Sequence, residues 1–232
     1  MNKKIKNRFT LVELLVVMGL MALMISLAVP AFSRMTKNNE ADVMASSIKT
    51  ALEQGQSTAV GKNCYVAVIF PLSSTKNNVK AYNYGGYRVA EVVSADPDKD
   101  GENVTSSSYK FKRWISESYT NAPGDALMVA DGNSKVTEVS ETVKAGNFSK
   151  MQALAGTTGD ANSENALAGC KAVIFKPTGE CVNEDMYISI AVADSKNLKV
   201  FNTSDFRQLY LNQFTGRVEY VTDEDTTSGG GE

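Results

Sequence analysis

Histidine is absent from this 232-residue chain. That absence excludes Ser-His-Asp triads, Cys-His dyads and histidine-ligated zinc or iron. Carboxylate or lysine chemistry stays open, but no pair of such residues is singled out. An excess of basic charge is missing too: Lys and Arg total 24 against 26 Asp and Glu, a net charge of −2. A general nucleic-acid binder is usually basic, so no nucleic-acid partner is expected. Cysteine is scarce, and the three present, Cys64, Cys170 and Cys181, cannot all pair within one chain. Charge is missing altogether from Leu14 to Val29, where Ser26 is the sole hydroxyl.

What is there begins with that charge-free stretch. As a helix, Phe9 to Val29 would extend roughly 30 Å, enough for a bilayer core. Lys3, Lys4, Lys6 and Arg8 precede it, so the flank would stay cytoplasmic and the chain after Pro30 would face the other side. A cleaved secretory signal has a shorter apolar core, and a buried core helix rarely stays apolar all round over such a length. Glu13 sits just inside the apolar edge. One reading is an interfacial side chain that reaches water. The other is a carboxylate needing an intermolecular cation, for which a free α-amino group made by cutting before Phe9 would serve.

Phe9-Thr10-Leu11-Val12-Glu13-Leu14-Leu15-Val16-Val17 resembles the signature of type IV prepilins and pseudopilins. The resemblance implies cleavage between Arg8 and Phe9 by a prepilin peptidase that also methylates Phe9. It implies that Glu13 neutralises the N-terminus of a neighbouring subunit, and that Pro30 kinks the helix. The family normally has Gly before the cut, where this chain has Arg8, so processing requires a peptidase that accepts Arg. The implied partners are other pilin or pseudopilin subunits, the peptidase/methylase and an inner membrane platform. The implied location is the bacterial inner membrane, single-pass, with the soluble domain on the extracytoplasmic side.

After Pro30 a helical period resumes in Ala41, Met44, Ile48, Leu52, Gly55 and Ala59, with Gly61 as a stop. The opposite face is polar and includes Gln56. The expected helix therefore runs from Phe9 to about Val60. From Cys64 the period changes to that of strands. Strands are predicted at Cys64–Phe70, at Tyr82–Tyr84 and Tyr87–Val93 as a hairpin through Gly85-Gly86, and at Tyr109–Ile115. Further strands are predicted at Ala172–Phe175, Met186–Val192, Phe206–Leu211 and Arg217–Val221. Residues 116–169 read as an irregular insertion with short apolar pieces at Ala126–Ala130 and Val136–Val143. Phe175-Lys176-Pro177-Thr178-Gly179 and Gly216-Arg217-Val218 are similar to turns of the H-type, FimT-like minor pseudopilins of type II secretion.

The expected fold class is α+β: a long N-terminal helix, membrane half plus amphipathic half, packed on an antiparallel β-sheet domain. The segments are a leader at 1–8, a transmembrane and assembly helix at 9–29, an amphipathic helix at 30–60, a β-rich domain at 61–222 and a disordered tail at 223–232. Two local features complete the reading. Asp96, Asp98 and Asp100, followed by Gly101, have the spacing of a calcium loop. The position of its last ligand holds Ser107, so an acidic surface turn is the competing reading. Cys170 and Cys181 flank a short strand and turn and are the expected disulfide, leaving Cys64 as a free thiol. The function expected is that of a minor pilin-like structural subunit of a type II secretion pseudopilus or type IV pilus, catalysing nothing itself. The alternative is a FimT-like minor pilin that binds DNA for uptake, for which Arg207 and Arg217 would be the cations.

Overall fold

A computed structural model describes residues 11–72, 83–94, 109–154, 167, 170–194 and 196–221, and of residues 27–38 the backbone alone. Helix α1 (Leu11–Lys62) is followed by strands β1 (Tyr65–Pro71), β2 (Gly86–Ser94), β3 (Tyr109–Trp114), β4 (Thr120–Asn121) and β5 (Ala126–Gly132). After a short 3-10 turn (Ala145–Asn147) come β6 (Gln152–Ala153), β7 (Cys170–Phe175), β8 (Met186–Asp194), β9 (Lys199–Val200), β10 (Phe206–Leu211) and β11 (Val218–Tyr220). They form two sheets, one of six strands ordered β3-β2-β1-β7-β6 with β4 beside β2, the other of five ordered β11-β10-β8-β5 with β9 beside β8. Every strand pair is antiparallel.

The C-terminal part of α1 lies against both sheets. Ala41, Met44, Ala45, Ile48, Ala51, Leu52 and Ala59 are all buried, the three- and four-residue spacing that puts them on one face. The stripe is mostly small, so backbone approaches backbone. A Cβ on Gly55 would stand 2.9 Å from Val68 and 3.5 Å from Phe175. Gly55→Leu should therefore lower the unfolding free energy by about 3 kcal/mol in denaturant titration, since overpacking here must push β1 and β7 away. The helix ends at Lys62, one residue past the expected stop at Gly61. Asn63 adopts φ 49°, and the N–H groups of Cys64 and Asn63 reach back to the carbonyls of Ala59 and Val60. That is a Schellman cap with asparagine in the left-handed position.

The six-stranded sheet is buried on both faces. Val66, Val68, Phe70, Val173 and Phe175 point into the cluster that contains the helix. Ala67, Ile69, Ala172 and Ile174 point into a second cluster with Ala90, Val92, Tyr109, Tyr119, Leu167 and Val182. This explains the unbroken apolar run of β1, since a strand covered on both faces has no polar side to alternate with.

Three expectations are corrected. First, the long N-terminal helix with a membrane half, packed on one antiparallel sheet, is not the architecture described. The described chain is mostly antiparallel β, in two sheets. Helical side chains are described in two short stretches, 11–26 and 39–62, and the second carries the buried stripe. Second, no helix among the described residues is long and apolar enough to cross a membrane. The single-pass inner-membrane location loses its structural basis with it. Third, Gly85-Gly86 does not join two strands of a hairpin. Tyr84 and Gly85 form a turn, β2 starts at Gly86, and its partners are β1, β3 and β4. The Tyr84 carbonyl instead accepts from Met128 of β5 at 2.7 Å, tying one sheet to the other.

Candidate functional site

The feature of this molecule that folding leaves unsatisfied is the start of α1. Every described side chain from Leu11 to Ser26 is exposed. Leu11 is 81% exposed and even Val17, the least so of the large apolar residues there, is 45% exposed. The exposure runs around the whole helix, because large apolar residues occupy nearly every position. Polar relief is slight. The Ser26 hydroxyl donates to the Leu23 carbonyl at 2.8 Å, a bond within the helix. A Cβ on Gly19 would meet nothing within 4 Å, so Gly19 leaves an open notch. Covering each of these side chains would stabilise an assembly by about 1.5–3 kcal/mol. Interaction sites present continuous apolar surface of this kind.

Glu13 lies in the first turn of α1, between exposed Val12 and Leu14. Its charge there complements the helix N-terminus. Arg8 and Phe9 lie outside the described residues, as do Asp96, Asp98 and Asp100. Pro30 falls within the helical backbone of α1, in the stretch whose side chains are not described. Among the described residues no group of three or more Cys, Asp or Glu is assembled as a metal centre.

The expected Cys170–Cys181 disulfide is corrected: all three cysteines carry free thiols. Cys170 opens β7, whereas Cys181 is bridged to Phe175 at the other end of that strand. Five strand residues separate them by about 17 Å, and the two side chains belong to different core clusters. Burial pushes the Cys170 thiol up to about 11 and the Cys181 thiol up to about 12. Both folded values lie above the ordinary 9.0. Their contribution to stability is therefore full below about pH 9 and is lost as pH climbs through the folded values. At pH 8 neither buried thiol should react with an aromatic disulfide reagent until the chain unfolds, whereas half-buried Cys64 should react slowly. Mass spectrometry of the labelled protein checks this, and a band shift between reduced and non-reduced samples would contradict it.

The polar groups inside the body hold backbone in place. Asn183, fully buried, accepts from the Ile174 N–H at 2.9 Å and donates to the carbonyls of Lys150 and Ala172 at 3.0 and 3.2 Å. Asp131 accepts from three successive backbone amides, those of Ser149, Lys150 and Met151. Arg88 donates to the carbonyls of Ser116 and Glu117 and stacks 4.0 Å above the Trp114 ring. Gln56, assigned by its sequence position to a solvated face, donates to the carbonyls of Gly179 and Thr215 at 2.8 and 2.6 Å. It thereby brings together the two turns singled out in the sequence. Nothing in a helical period marks such a residue; the signal lies in the two distant turns that it joins. Gly216, at φ +64°, lies so close to Gln56 and to the Gly179 carbonyl that no Cβ fits there.

The arginines of the nucleic-acid alternative are ion-paired. Arg207 bonds Asp42 and Asp205, which hold its guanidinium above the usual range, and Arg217 bonds Glu219. Comparison with protein-family models, with characterised proteins and with solved structures returns no match.

Proposed function

We propose that the chain is a pilin-like structural subunit that polymerises through the start of α1, as part of a type II secretion pseudopilus or a type IV pilus. The observation that carries this reading is the exposed apolar surface from Leu11 to Ile25, set ahead of a helical stretch anchored in a folded body. A surface of that kind is covered in the working state, and in this reading the cover is the same segment of neighbouring subunits. The prepilin-like signature supplies the rest. A peptidase cuts between Arg8 and Phe9 and methylates Phe9, and Glu13 meets the new α-amino group of an adjacent copy. The chain is a substrate of that peptidase and has no catalysis of its own.

The experiment has two parts. N-terminal sequencing of the protein recovered from its native host should start at N-methylated Phe9. Glu13→Leu, which keeps the surface apolar and removes the carboxylate, should reduce incorporation into polymer at least tenfold while the body's thermal transition stays in place. A mature protein that retains Arg8, or a Glu13→Leu variant incorporated like the parent, would end the respective part of the proposal.

A further inference from the structure

At one end of the packed part of α1, just past Lys62, two cations of β3 bond one buried carboxylate, Glu91. Lys62, Lys112 and Arg113 all act on the Cys64 thiol together with Glu91. Lys112 and Arg113 both bond Glu91, which holds that carboxyl below its usual range. Lys110, exposed and opposite Val93, extends the patch beyond the end of the helix. Lys110, Lys112 and Arg113 all belong to β3, the last strand of the six-stranded sheet, whose outer edge pairs with no strand among the described residues. A basic edge strand resists pairing with its own kind and accepts an acidic extended segment.

Toward the other end lies Val221, the last described residue. β10 runs beside α1 from Arg207, bonded to Asp42, to the turn where Thr215 meets Gln56. β11 returns the opposite way, and the Val221 N–H bonds the Gln208 carbonyl, back at the level of Asp42. Just beyond Val221 comes Asp223-Glu224-Asp225, the one run of three consecutive carboxylates in the sequence. Between Asp42 and Lys62 the helix rises about 30 Å, whereas Val221 to Asp225 reaches at most about 14 Å. The acidic run is therefore tethered toward the end of the body opposite the basic edge.

We propose that the Asp223–Asp225 run of one copy seats along the basic β3 edge of a second copy, joining bodies head to tail. Such a contact uses two different surfaces, the heterologous arrangement that builds an open polymer when the rotation between copies does not close a ring. This rests on the reading of the chain as a self-assembling subunit. A competing occupant of the same edge is the chain's own 95–108 connection, which carries Asp96, Asp98, Asp100 and Glu102.

The test uses the full chain. Unlabelled and isotope-labelled copies are mixed, assembled, treated with a zero-length carbodiimide, digested and analysed by mass spectrometry, with polymer measured separately by sedimentation. Mixed-isotope peptides joining Lys110 or Lys112 to Asp223, Glu224 or Asp225 are expected. They should fall at least fivefold when linking is done in about 0.5 M salt, because exposed charges are screened there. They should also fall with Glu224→Lys, and a link between positions 110 and 224 should return in the swap of Lys110→Glu with Glu224→Lys. Polymer that yields same-isotope links alone, or links from Lys110 and Lys112 to residues 96–102, overturns this contact and leaves the assembly reading standing. A chain that forms no polymer overturns both.

Discussion

Replacing Asn183 by leucine should lower the unfolding free energy by about 3–5 kcal/mol, among the largest losses any single substitution in this body would produce. Leucine keeps the volume and the burial. What it removes is a partner for the Ile174 N–H and for the carbonyls of Ala172 and Lys150. Each of these then sits beside hydrocarbon, and an unsatisfied buried backbone group costs about 1–3 kcal/mol. Partial relaxation keeps the total below the simple sum. Asn183→Asp is a sharper control, being nearly isosteric. It can still accept from Ile174, but it places a carboxylate against two carbonyl oxygens in a fully buried site, so it too should destabilise by several kcal/mol.

The same segment is held from its other side. Asp131, on β5, takes the Lys150 N–H, and Asn183, next to β7, takes the Lys150 carbonyl. One residue of the insertion is thus pinned to both sheets. A double-mutant cycle between Asn183→Leu and Asp131→Ala should give a coupling of about 1 kcal/mol or more, because either change releases the 149–151 segment and leaves the other with less to hold. Additivity within error in urea titrations would show that the two residues act independently and that Lys150 is not the link.

Such residues explain where the sequence was legible and where it was not. The strands at Tyr65–Pro71, Cys170–Phe175, Met186–Asp194 and Phe206–Leu211 were readable because their apolar content reports burial directly. The stripe from Ala41 to Ala59 was readable because small residues at helical spacing have few other uses. Residues 116–154 were not, because their order comes from tertiary partners. Val139, Val143, Phe148 and Met151 join the main core cluster, held by Asp131 and Asn183, and no local period announces that. Gly85-Gly86 misled for a related reason: the backbone carbonyl of Tyr84 bonds across to β5, a contact invisible in its neighbours. The cysteine spacing misled because Cys170 and Cys181 are close in sequence yet sit at opposite ends of β7. The apolar start of α1 was legible as an apolar helix, and its side chains are exposed. The choice of cover was not, since apolar side chains are served alike by lipid and by neighbouring helices.

That ambiguity gives the second large effect. Leu14→Lys together with Met18→Lys should abolish polymer formation while moving the body's unfolding free energy by less than about 0.5 kcal/mol. The two side chains are 58% and 64% exposed and stand one helical turn apart, so both lie on a single face. Burying an ammonium in an apolar helix contact costs several kcal/mol, and each subunit in a polymer would meet the penalty in every contact that uses this face. Sedimentation reads the polymer and denaturant titration reads the body, so the two measurements separate cover by other copies from cover by the chain's own body. Loss of polymer with an intact body is the expected pattern. Loss of body stability to the same extent would mean that the segment packs on its own body in solution, and polymer formed as well as by the parent would mean that this face is not where copies meet. Alanine at the same positions should give a graded loss, because the surface stays apolar and loses only area, at about 25 cal/mol per Å². An all-or-none lysine effect beside a graded alanine effect is what a helix-to-helix contact predicts.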